Sequence, residues 1–393
     1  MMEQQGLTLL WLLLPLAAAS GWWIARRTAG RNGAGGRSPV LPEYIRGLNY
    51  VLNEQPDKAI EVFIKMLEVD SETVETHLAL GSLFRRRGEV DRAIRVHQNL
   101  IARTTLSREQ RTLALSELGT DYMRSGLLDR AEGLFKELVD MGAHMHLSLR
   151  QLLEIYQQEN DWQNAIATAR RLEGSAKEDL KSMIAQFYCE LAVEQLAAKK
   201  DADAAELVGR ALQIDPDCVR GSLLEADMRR AAGDIAAAIT SYQRTELQDP
   251  EYLPEVIGSL CRCYRDLGRL EEFMTYLHGV VERHASITSS LLLTDLIAEV
   301  HGEDEAIRFI SGELRKRPTV RGVNRLIEYA MRKSSGETRD NLATIRELTE
   351  RWIADRPVYK CNQCGFNARL LHWKCPSCRS WNTVKPVHGL EGE

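Results

Sequence analysis

Residues 80–100 read LGSLFRRRGEVDRAIRVHQNL (Leu80–Leu100), and the small residues in this stretch decide the fold. Gly81 and Ala93 lie on either side of the polar run that contains Gly88, with Phe84 after the first and His97 after the second. Two helical segments flank Gly88, which fits a tight turn because glycine accepts positive φ without a Cβ penalty. Gly81 and Ala93 then let the two helices approach closely, while the large residues fill the space beside them.

The same pattern returns along the chain. Ala59, Ala93, Ala131, Ala165, Ala204, Ala238, Phe273 and Ala306 follow one another at 34, 38, 34, 39, 34, 35 and 33 residues. Gly47, Gly81 and Gly119 stand twelve positions before the first three, and Tyr50, Phe84 and Tyr122 stand nine before them. Phe63 and Phe135 come four positions after Ala59 and Ala131. Gly126, Gly233 and Gly268 occupy the turn position of Gly88. This beat resembles the tetratricopeptide repeat, and it predicts an all-α solenoid of about eight repeats over residues 43–317. Residues 318–355 read as two capping helices. Later repeats are degenerate, with Phe273 in an alanine slot and Glu225 and Thr294 in slots that are usually small or apolar. A stack of this kind binds proteins or peptides and has no built-in catalytic pocket. No Gly-rich phosphate loop, nucleophile elbow or H-E-x-x-H occurs. His77 and His97 fall at aromatic slots and read as packing residues, and HMH (His144–His146) reads as a solvated connection.

Residues 4–25 carry no charge and include LTLLWLLLPLAAASGWWIA (Leu7–Ala25). As a helix they would reach roughly 33 Å, enough for a hydrocarbon core of about 30 Å. Glu3 precedes the run while Arg26, Arg27, Arg31 and Arg37 follow it, the reverse of a secretory signal. The expectation is an uncleaved anchor over residues 1–25, a basic flexible linker over 26–42, and the remaining chain on the cytoplasmic side. Residues 43–355 carry 41 basic and 53 acidic side chains, a net of −12, so an acidic body lies between two basic ends.

The eight cysteines fall into two groups. Cys189, Cys218, Cys261 and Cys263 are scattered through helical sequence and read as core thiols of a reducing compartment. Cys361, Cys364, Cys375 and Cys378 form C-x2-C-x10-C-x2-C within YKCNQCGFNARLLHWKCPSCRSW (Tyr359–Trp381). Two such knuckles supply four thiolates to one tetrahedral ion, iron or zinc, and leave no open position for water. Residues 356–393 therefore resemble a rubredoxin-like or zinc-ribbon domain with a structural ion. Arg379 follows the second pair where rubredoxins carry glycine, and the spacer is shorter than theirs, which argues against a free-standing electron carrier. Lys360, Lys374 and Arg379 flank the ligand cysteines and offset their charge. Phe366, Trp373 and Trp381 are expected to pack the small domain or bury it against the last helices, and no nucleic acid is expected.

As a whole the chain resembles the lipopolysaccharide assembly protein B family (LapB/YciM) of Gram-negative bacteria. The likeness rests on LLLP (Leu12–Pro15) followed by Arg26 and Arg27, on Leu80–Leu100, on QFYCELA (Gln186–Ala192), and on KCNQCGF…WKCPSCRSWNTVKPVHGL (Lys360–Leu390). The resemblance implies a regulator of lipopolysaccharide synthesis in the inner membrane, not an enzyme. It would work with the membrane protease FtsH to promote degradation of the lipid A deacetylase LpxC, and answer to a lipopolysaccharide-sensing inner-membrane protein. The four cysteines would hold one iron or zinc ion. An assembly scaffold for the same enzymes and an iron-ribbon redox sensor are the alternatives, and a homodimer is left open.

Overall fold

The computed structural model describes residues 40–69, 73–176, 178–284, 286–354 and 356–389. The anchor expected over residues 1–25 lies outside them, as does most of the expected linker. The last part of that linker is corrected: helix α1 (Val40–Leu52) already begins at Val40. Among the described residues no helix is long and apolar enough to cross a membrane.

The chain divides into two compact units, residues 1–155 and 156–393. In the first, α1 pairs with α2 (Pro56–Val69), α3 (Val74–Arg86) with α4 (Val90–Ile101), and α5 (Arg108–Ser125) with α6 (Leu128–Asp140). α7 (Met145–Glu159) follows, and its last residues, from Tyr156 on, belong to the second unit. The second continues with α8 (Trp162–Ala176), α9 (Lys181–Ala197), α10 (Asp201–Ile214), α11 (Val219–Ala231) and α12 (Ile235–Gln248). A 3-10 turn (Pro250–Tyr252) leads to α13 (Leu253–Asp266), α14 (Leu270–Arg283), α15 (Ile287–His301) and α16 (Glu303–Lys316). α17 (Val320–Lys333) and α18 (Glu337–Ala354) close the helical part.

The repeat chemistry is visible in the packing. The eight slot residues from Ala59 to Ala306 all lie on second helices and are fully buried. A Cβ added to Gly47, Gly81 or Gly119 would stand 2.7, 2.3 or 2.8 Å from the ring of Phe63, His97 or Phe135. Each glycine thus exists to admit the ring four residues beyond the slot alanine. We expect Gly119→Ala to lower stability by about 1–3 kcal/mol through overpacking. The check is a thermal melt, in which an unchanged midpoint would show that the Phe135 ring can yield. In the turns Gly88, Gly126, Gly233 and Gly268 have φ of +87°, +76°, +84° and +68°.

His97 fills the phenylalanine slot while carrying polar atoms, so it needs a partner. Its Nδ1 lies 2.5 Å from Oδ2 of the buried Asp121, whose Oδ1 accepts from Arg85 at 2.6 Å. The degenerate slots of the second unit are rescued in similar ways. Buried Thr294 donates to the Ser290 carbonyl at 2.7 Å, and Glu225 takes Arg229, Ser241 and Arg244 at 2.7, 2.9 and 3.0 Å. Cys261 and Cys263 belong to the apolar core. Cys189 and Cys218 are buried with their sulfurs 3.8 Å apart, a pairing that sequence spacing does not reveal.

Candidate metal centre

After α18 the chain forms a three-stranded sheet in the order β2-β1-β3. β1 (Tyr359–Cys361) pairs antiparallel with β2 (Asn367–Ala368) and with β3 (Val384–Pro386). Two turns built alike hang from it. In the first, Cys361 N–H donates to Phe366 O at 2.8 Å and Gly365 N–H to Cys361 O at 2.9 Å. In the second, Cys375 N–H donates to Ser380 O at 2.9 Å and Arg379 N–H to Cys375 O at 2.8 Å. Gly365 and Arg379 hold the equivalent place with φ of +77° and +61°. The arginine therefore adopts the glycine conformation, at a backbone cost of about 1–2 kcal/mol.

The turns bring the four cysteine sulfurs within 4.8 Å of one another, the one such grouping among the described residues. Cys361 Sγ lies 3.7 Å from Cys378 Sγ, and Cys364 Sγ lies 3.7 Å from Cys375 Sγ. Around a tetrahedral ion with bonds of about 2.3 Å, sulfurs stand about 3.8 Å apart, so the donor set and its spacing fit one metal ion. Burial opposes ionisation of Cys361. The Thr383 hydroxyl and the backbone N–H groups of Cys364 and Gln363 outweigh it and bring the thiol down to about 6. The hydroxyl and N–H of Ser380 likewise hold Cys378 below the usual thiol range. Burial pushes Cys375 up to about 11. His372 stacks edge-on against Phe366, 6.5 Å between centroids, apart from the sulfur cluster.

The ribbon's own core is Cys361, Cys375 and Val384 with Tyr359, Phe366 and Cys378 beside them, too little to hold a fold alone. It is completed by the helices of the second unit. Trp381 meets Trp162 and Phe187 edge-on at 6.1 and 5.8 Å, and its indole N–H donates to Gln157 Oε1 at 3.0 Å. Trp373 lies 5.2 Å from the Tyr252 ring, with the Arg220 guanidinium 5.8 Å from its own centroid. Tyr359 OH donates to Glu255 Oε1 at 2.6 Å. Lys385 pairs with Asp249 and stands 3.9 Å from the Tyr252 ring centroid.

Burial against the last helices is therefore overturned: the named contacts of Trp381, Trp373, Tyr359 and Lys385 run to α7, α8, α9, α11, the 3-10 turn and α13. Chain proximity suggested α18, but α18 buries none of its residues and offers no aromatic pocket. Trp373 and Trp381 were marked by their type. Trp162, Phe187 and Tyr252 carried no signal, because each looks like one more core residue of a helix.

Comparison with known proteins follows the same division. Residues 359–386 match the family described as a rubredoxin metal binding domain. Residues 76–112 match a tetratricopeptide repeat and residues 121–142 a PPR repeat. Lipopolysaccharide assembly protein B of Escherichia coli K12 is 40% identical over 387 residues, covering 98% of this chain and 100% of its own length. The protein of that name from Haemophilus influenzae is 34% identical over 393 residues, covering 98% of this chain and 99% of its own.

Proposed function

The chain belongs to the lipopolysaccharide assembly protein B family, and we propose from that premise that it is a non-enzymatic adaptor in lipopolysaccharide synthesis. The observation that carries this reading is the end-to-end match to relatives bearing that name, which spans helices and ribbon alike. Residues 1–25 hold the protein in the inner membrane, with the arginines after them keeping the helices on the cytoplasmic side. Confinement to the membrane plane raises the local concentration of the adaptor around a membrane protease. The helix pairs bind the deacetylase LpxC and present it to FtsH, and a lipopolysaccharide-sensing membrane protein sets how often this happens.

Cys361, Cys364, Cys375 and Cys378 hold one zinc or iron ion. Bound there, the ion cross-links the two turns; four protein sulfurs fill its coordination, so its part is structural. The ribbon then covers the face formed by Gln157, Trp162, Phe187 and Tyr252.

Depleting the protein in cells tests the reading. The half-life of the deacetylase is expected to lengthen severalfold, with a rise in lipopolysaccharide, and only where the protease is present. Unchanged turnover of the deacetylase, alongside co-purification with several lipopolysaccharide enzymes, would replace the adaptor with a scaffold.

A further inference from the structure

Away from the ribbon, α14, α15 and α16 enclose an open groove of about 790 Å³. One face of α14 supplies a wall through Glu271, Met274, His278, Gly279 and Glu282. Leu293 and Ile297 of α15 form the floor, and Phe309 with Glu305 of α16 forms the far wall. The floor is apolar and closed, since Leu293 is 1% and Ile297 8% exposed. Gly279 lies under the Arg283 guanidinium, whose nearest nitrogen would stand 2.8 Å from a Cβ added there. A groove of this volume lies in the range that takes a ligand of several side chains.

Its rim carries unspent negative charge. Glu271 pairs with no cation among the described residues, and Glu282 faces only the His278 ring at 3.5 Å. The cations nearby are already paired: Arg283 to Glu246 at 2.8 Å, Arg269 to Glu272 at 2.6 Å, and Arg308 to Glu305 of the groove's own far wall. Lys333 and Arg332 of α17 are taken by Asp304 and Glu303 of α16. The His301 ring at the end of α15 completes the lining. A flexible methionine and an aromatic ring on the walls suit apolar side chains of more than one shape.

We propose that this groove is a docking site for a basic peptide segment, in which one or two bulky apolar residues enter between Met274 and Phe309 while flanking Lys or Arg side chains meet Glu271 and Glu282. The site is separate from the ribbon and does not depend on the adaptor reading. Two acidic side chains without cationic partners on the lip of an apolar slot select positive flanks and repel acidic ones.

The test uses the full-length protein in maltoside micelles, with empty micelles as the blank. The probe is a fluorescein-labelled peptide Lys-Arg-Leu-Lys-Phe-Leu-Lys-Arg, compared with the same peptide carrying Glu at every basic position. Saturable anisotropy is expected for the basic peptide only, weakening as salt shortens the screening length. Glu271→Lys with Glu282→Lys should reduce affinity by about tenfold or more. Phe309→Ala, which removes the apolar wall and leaves the charge intact, should do the same. Reversal of a distant pair, Asp201→Lys with Asp203→Lys on α10, should leave affinity within about twofold. Equal binding of the two peptides, wild-type binding by either groove variant, or equal weakening by the distant pair would overturn the proposal.

Discussion

Cys361→Ser is expected to strip the metal from the protein and unfold the ribbon, the largest single effect open to mutation here. A structural four-thiolate ion contributes about 10 kcal/mol or more to a domain of this size. The ribbon's apolar core is three buried residues, one of them Cys361 itself and another Cys375, so little remains once the ion leaves. Burial opposes ionisation of the Cys361 thiol, but Thr383 and two backbone N–H groups outweigh it and hold the group below the usual thiol range. Metal analysis of the purified variant should show loss of the ion, and hydrogen exchange over residues 359–386 should become as fast as in an unfolded chain. Full metal content together with an unchanged exchange pattern would remove Cys361 from the ligand set. The helices should survive, because the core cluster running from Ala226 to Tyr329 shares no residue with the ribbon's.

The fate of the docking face separates what could be read in the sequence from what could not. Slot residues from Ala59 to Ala306 were legible because a close helix contact admits only a small residue, and the constraint recurs each repeat. The cysteine cluster was legible for a similar reason: four thiols at that spacing have few other uses. Glu225 and Thr294 were readable only as lapses, and the packing shows what compensates them. The receiving face was silent, because burial by a neighbouring helix and burial by a ribbon more than a hundred residues downstream leave the same mark on Phe187 or Tyr252. Tyr359 reaches back 104 residues to Glu255, and Trp381 reaches back 224 to Gln157. Arg379 misled in a different way. It departs from the glycine of rubredoxins, yet it accepts the same left-handed backbone, so the departure alters the surface and not the turn.

The sequence sets a basic end beside an acidic body, and a contact of opposite charges between them exists where Lys385 meets Asp249 and Glu251. Magnitudes favour the aromatics. An ion pair with this partial exposure is worth about 1 kcal/mol, whereas truncating a packed tryptophan costs about 3–5 kcal/mol. Trp381 joins two rings, a hydrogen bond to Gln157, and the Lys374 ammonium 5.5 Å from its centroid. Being half-buried, it should yield less than a fully packed ring, about 2–4 kcal/mol. Trp381→Ala is therefore expected to free the ribbon from the helices while leaving the metal bound, which separates docking from folding of the ribbon. Exchange at Gln157, Trp162 and Phe187 should rise together with that of β1 and β3, at full metal content. Raising salt from 0.1 to 1 M shortens the screening length from about 10 to about 3 Å, and should change wild-type exchange little. A ribbon that salt releases and Trp381→Ala does not would show that charge, not ring packing, holds it in place.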